Sequence, residues 1–130
     1  MNKTSRGFTI IEVVVVVLVL SFASVVFFLQ KNNVETAARD EQRKTAINAM
    51  YYGLEEVYFK ENGYYPRTIK STTLRSVDPA LLKDPNGVMI GESDSDYRYE
   101  PTACDGDKCR AYTLRTTLEN EDDFIKKQRS

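Results

Sequence analysis

A chain of 130 residues with a formal net charge of −1 allows one small domain and argues against a dedicated nucleic-acid binder, which would carry a basic face. It contains no histidine and only two cysteines, so neither a histidine-based catalytic centre nor a Cys/His zinc site has its usual residues. The charge is unevenly placed: residues 1–6 hold two of the cations, residues 8–29 hold a single acid, and residues 30–130 are slightly acidic.

Residues 1–7 form a short polar leader with Lys3 and Arg6, ending at Gly7. Residues 8–29 are apolar apart from Glu12 and a few small polar residues, and at about 1.5 Å per helical residue they can cross a hydrocarbon core of roughly 30 Å. The flanking cations would hold the leader on the cytoplasmic side. A carboxylate at the centre of such a segment costs about 2.5–3.5 kcal/mol, and less near its end. Glu12 therefore calls for a functional reason.

The stretch Gly7-Phe8-Thr9-Ile10-Ile11-Glu12, behind a basic leader and ahead of a long apolar run, closely resembles the processing site of type IV prepilins and pseudopilins. The resemblance implies cleavage between Gly7 and Phe8 by a prepilin peptidase that also methylates the new N-terminal Phe8. It further implies a single-pass protein of the inner or cytoplasmic membrane, N-terminus inward and solvated by lipid, which a cytoplasmic ATPase and a membrane platform extract into a homo-oligomeric helical filament at the cell surface. An ammonium and a carboxylate buried in apolar surroundings need partners. Glu12 of one subunit and the amine of Phe8 on its neighbour would supply each other and fix the axial register. Three simpler readings compete: a secretory signal peptide cut near Ser21-Phe22-Ala23, a plain membrane anchor, and a buried core helix. The first is disfavoured by the apolar run continuing to Leu29, the second leaves Glu12 unexplained, and the third does not need the polar leader.

Beyond the apolar run, residues 30–62 read as the amphipathic half of the same helix. Val34, Ala37, Ala38, Ala46, Ile47, Met50, Leu54, Val57 and Tyr58 recur at three- and four-residue steps, with charges between them. Glu35 with Arg39, and Asp40 with Lys44, stand four apart with the acid first. Glu55 and Glu56 read as a solvated helix face. Gly63 and Pro66 predict the stop, and nothing forces a kink before it. Many type IV pilins carry a proline in the apolar half; none occurs in residues 8–29 here, so local melting of the helix on assembly is not implied.

Residues 63–130 are expected to form a small head. Tyr64 and Tyr65 should fold back over the helix, Asp78-Pro79 should open a short helical turn over residues 80–83, and Asp84-Pro85-Asn86-Gly87 should turn the chain. Residues 88–90, 97–100 and 110–118 look like about three antiparallel strands, with Tyr97 and Tyr99 on one face and Tyr112, Leu114 and Thr116 on one face. Residues 101–108 then read as a loop closed by a disulfide between Cys104 and Cys109, and residues 119–130 as a frayed charged tail with Phe124 and Ile125 as docking points. The fold class is α+β.

No catalytic constellation emerges, and an enzyme is not expected. Acids cluster at Asp94 and Asp96, at Asp105 and Asp107, and at Glu119, Glu121, Asp122 and Asp123, but none follows the EF-hand spacing. Some major pseudopilins bind calcium, which makes it the one cofactor the resemblance suggests; solvated turns are the simpler reading, and no metal site is assigned. Tyr51, Tyr52, Tyr58, Phe59, Tyr64 and Tyr65 favour packing over base stacking, since only Lys60 and Arg67 lie near them. The basic end, Lys126, Lys127 and Arg129, gives DNA only weak support as a partner. The resemblance leaves three roles open: a pilus subunit for adhesion, twitching motility or DNA uptake; a pseudopilin of a type II secretion-like system or a minor tip pilin; and, in a different class, an anchored binding domain that never polymerises.

Overall fold

The computed structural model describes residues 7–129; Lys3 and Arg6 of the leader, and Ser130, lie outside the described residues. The chain divides into two compact units between Glu35 and Thr36. One helix, α1, runs over Ile10–Asn62. It is α-helical over Ile10–Tyr52, widens to a π-helix over Gly53–Tyr58, and returns to α-helix over Phe59–Asn62. It stops where the sequence predicts, at Gly63, whose φ of 78° is left-handed and whose N–H caps the Phe59 carbonyl at 2.7 Å.

In the first unit the side chains of residues 8–29 are all exposed. Ser21 and Ser24 return their hydroxyl protons to the carbonyls of Val17 and Leu20, each at 2.8 Å, which satisfies two polar groups inside an apolar surface.

In the second unit the same helix buries Ala46, Ile47, Met50 and Leu54 under a sheet and its loops. Burying a side chain the size of Ile, Met or Leu contributes roughly 1.5–3 kcal/mol. The sheet has four antiparallel strands: β1 Tyr65–Pro66, β2 Tyr97–Asp105, β3 Lys108–Thr116 and β4 Phe124–Lys127. Strand β3 is the common partner. It pairs with β2 along its length, with β1 at Cys109 and Lys108, and with β4 from Thr113 to Thr116. Tyr97, Tyr112, Leu114 and Thr116 are buried, on the alternation expected of them. Tyr65 stacks on Phe59 at 4.8 Å and meets Tyr112 edge-on at 4.7 Å, which folds the chain after Gly63 back onto α1.

Several expectations need correction. Residues 88–90 form no strand: Met89 makes one isolated bridge with Lys83, and the Ile90 N–H goes to the Leu82 carbonyl. Residues 101–108 are not a loop but the end of a hairpin, because Cys104 faces Cys109 across β2 and β3 and the register persists to Asp105 and Lys108. Only Gly106 and Asp107 turn, with Gly106 at φ 62°. The tail is not frayed either, since β4 hydrogen-bonds to β3 and Phe124 packs on the core. The short turn after Asp78 is a 3-10 helix, Pro79–Leu82, capped by the Asp78 carboxylate accepting from the Ala80 N–H at 2.9 Å.

Candidate functional site

The stretch singled out by the sequence stands at the start of α1. Gly7, Phe8 and Thr9 precede the first helical residue, and all three are exposed. Thr9 is what starts the helix: its Oγ1 accepts the Glu12 N–H at 3.3 Å, and its carbonyl accepts the Val13 N–H at 3.1 Å. This is the threonine cap of a T-x-x-E spacing. Thr9 is absent from the expected site residues, although that spacing was legible in the sequence. Glu12 falls in the first turn, where a carboxylate complements the helix dipole, and it too is exposed. Phe8 is 79% exposed and Ile10 86%, so the apolar surface begins immediately around the carboxylate.

In the head, the structure gathers charges that the sequence left on helix faces and in a tail. Arg43 is buried and donates to Asp40 at 3.0 Å, Asp96 at 3.0 Å and Glu119 at 2.9 Å. Arg39 makes a two-point contact with Glu119, both bonds at 2.8 Å. Burial alone would raise the pKa of Asp40, but the N–H groups of Glu119 and Asn120 and the Arg43 guanidinium bring it below the usual value. Arg39 and Arg43 hold Glu119 down to about 2. The expected pairing of Asp40 with Lys44 is replaced: Asp40 serves Arg43 and two backbone N–H groups, and Lys44 reaches Glu121 at 3.0 Å.

Glu55 is the second correction. It is not a solvated acid but lies buried in the π-helical turn, accepting from the hydroxyls of Tyr112 at 2.7 Å and Tyr65 at 2.9 Å and from the Arg129 N–H at 3.1 Å. The wider turn brings Gly53, Leu54 and Glu55, three consecutive residues, into the interior. Burial, reinforced by the Glu55 carboxylate, raises the Tyr112 hydroxyl well above its ordinary range. Glu56 keeps to the surface and pairs with Lys60 and with Arg129. Burial, helped by Asp84, pushes Tyr97 up to about 12, and its hydroxyl has no hydrogen-bond partner among the described residues.

The remaining candidates fall into place individually. Cys104 and Cys109 form a disulfide. Among the described residues no three carboxylates or thiolates converge in a way that could hold a metal ion; Asp96, Glu119 and Glu121 are each engaged by a cation, and Asp84, another buried acid, accepts the N–H groups of Asn86, Val88 and Asp96 at 2.9 Å each. The basic end lies over aromatic rings: Lys126 over Tyr51 and Phe124, and Arg129 over Tyr51. Tyr58 meets Tyr64 edge-on at 5.9 Å, so these rings are engaged in packing.

Comparison with curated proteins and with solved structures finds no match. Residues 2–28 match the family model described as the prokaryotic N-terminal methylation motif. With the capped helix start, the exposed Glu12 and the apolar surface that follows, this identifies the N-terminal segment as the class III prepilin signal of type IV pilins and pseudopilins.

Proposed function

We propose that the chain is a structural subunit of a type IV pilus-like filament, made as a membrane-anchored precursor and assembled after processing. The reading is carried by one observation: a methylation motif joined to a helical segment whose apolar side chains are all exposed. Such a surface has to be covered by lipid, by other copies of itself, or by each in turn. Cleavage between Gly7 and Phe8 acts on a peptide bond outside the helix, because Thr9 caps the helix beyond it. The product has a new amine at Phe8, which is then methylated, and Glu12 as its nearest acid in sequence.

In a stack of these helices, Glu12 of one subunit accepts the Phe8 ammonium of the next. Leaving either charge alone in an apolar interior is strongly unfavourable, by about 3–5 kcal/mol, so the pair selects one axial register. Burial of the apolar segments supplies most of the association energy. The chain acts here as a substrate of the peptidase and as a building block; no chemistry is assigned to its own side chains.

N-terminal mass spectrometry of material sheared from the cell surface tests this. A methylated Phe8 terminus is the expected result. A Met1 terminus confined to the membrane fraction would overturn it in favour of an anchored domain, and a start at Ser24 would mean a cleaved signal peptide. Glu12→Ala should abolish filaments while leaving the chain in the membrane; unchanged filament yield would remove Glu12 from the assembly contact.

A further inference from the structure

The chain contains the Asn-Gly dipeptide twice, at Asn62-Gly63 and at Asn86-Gly87, and the two have different surroundings. Asn-Gly is the sequence in which a backbone nitrogen most readily attacks the preceding side-chain amide, because glycine puts no side chain in the way. At the first site Asn62 is the last helical residue, its Nδ2 donates to the Tyr58 carbonyl at 2.9 Å, and the Gly63 N–H is held by the Phe59 carbonyl at 2.7 Å. Both the amide under attack and the attacking nitrogen are restrained by α1.

At the second site both residues are exposed in a turn. The Asn86 side-chain amide makes no hydrogen bond among the described residues; only the backbone is fixed, through Asn86 N–H to Asp84 Oδ1 and Gly87 N–H to the Asp84 carbonyl, each at 2.9 Å. Around Gly87, at φ 84°, a side-chain carbon would meet nothing within 4 Å, so space is open for the amide to swing towards the glycine nitrogen. One turn bond has to open for the attack, against a helix end and a side-chain bond at Asn62.

We propose that Asn86 is a site of spontaneous deamidation, and that Asn62 is protected from it by the helix. In the step, the Gly87 nitrogen loses its proton and forms a bond to Asn86 Cγ. The Cγ–Nδ2 bond breaks and ammonia leaves, giving a cyclic imide. Water then opens the ring at either carbonyl, yielding aspartate or isoaspartate at position 86. Both products place a new carboxylate two residues from the buried Asp84, and the isoaspartate also lengthens the backbone by one carbon. The turn can then no longer present the Asn86 and Val88 N–H groups to Asp84 Oδ1 as it does now. Its effect falls on the loop from Asp84 to Asp96, which Asp84 Oδ2 closes through the Asp96 N–H.

The test is peptide mapping by mass spectrometry of the detergent-solubilised full chain, aged at mildly alkaline pH. Conversion at Asn86 should run at least about tenfold faster than at Asn62, with isoaspartate among the products. Equal rates, faster conversion at Asn62, or no conversion at Asn86 would overturn the assignment. Hydrogen exchange on the aged chain checks the consequence: the Val88 and Asp96 amides should lose protection while those paired between β2 and β3 keep it. Asn86→Gln, whose longer side chain would close a less favoured ring, should abolish the loss; loss at the same rate in this variant would exclude deamidation as its cause.

Discussion

The two halves of α1 use the same backbone for opposite purposes. Residues 8–29 present apolar side chains that touch no core of their own, while Ala46, Ile47, Met50 and Leu54 are at most 1% exposed. Hydrophobicity by residue is higher in the half that buries nothing. Stability within this chain therefore comes from the amphipathic half, and the purely apolar half draws its free energy from whatever surrounds it.

Substitutions can break this contrast. The largest effect is expected at Arg43→Ala, which leaves Asp40 buried without its guanidinium and removes one partner each from Asp96 and Glu119. Loss of a buried ionic partner costs about 3–5 kcal/mol. Denaturant unfolding of the solubilised chain should show it, and a cost below about 1 kcal/mol would mean that water replaces the guanidinium at little expense. Next comes a paired comparison. Leu54→Ala should cost about 2–5 kcal/mol, whereas Val17→Ala should shift the same transition by less than about 0.5 kcal/mol. Similar shifts for the two would show that the apolar half does share the folding transition.

Removing the disulfide with Cys104→Ser and Cys109→Ser should cost about 2 kcal/mol, because the ring it closes is short. Its effect should appear in the melting of the head and leave membrane insertion unchanged. The smallest expected change is produced by acid. Asp40 and Glu119 have lowered pKa values in the folded chain, so their contribution is complete above the ordinary carboxylate range and is lost as pH falls through the folded values. For Glu119 the window runs from 4.5 down to about 2. Protection of the Glu119 and Asn120 amides, which Asp40 accepts, should decline on acidification before that of the β2–β3 ladder. Simultaneous loss would show that the segment before β4 does not open separately.

The sequence and the structure agree where the controlling interactions are local. The apolar run, the three- and four-residue rhythm, the stop at Gly63 and the cap at Asp78 each depend on residues within a few positions, and so does the prepilin signal, which is why it could be found without tertiary information. The disagreements involve distant partners. Arg43 meets Asp96 across 53 residues and Glu119 across 76, and nothing near Arg43 marks it as buried. Glu55 looked like a surface acid because its donors, Tyr112 and Arg129, come from the other end of the chain. Strand β4 was hidden for the same reason: Phe124-Ile125-Lys126-Lys127 has the alternation of neither a helix nor a half-buried strand, and it becomes a strand only because β3 offers an open edge. Residues 88–90 erred the other way, having strand composition but no strand beside them.

The π-helical turn over Gly53–Tyr58 amounts to one residue of slack in an otherwise regular rod. Each residue advances an α-helix by about 100°, so taking one out of this turn would let the helix close into plain α geometry and rotate all that follows by that step. Phe59 would swing away from Tyr65, and the chain would leave Asn62 in a different direction. The extra residue thus acts as an indexing device: it sets the heading at which the polypeptide departs from the helix. A single-codon deletion would reset that heading while leaving residues 10–52 untouched.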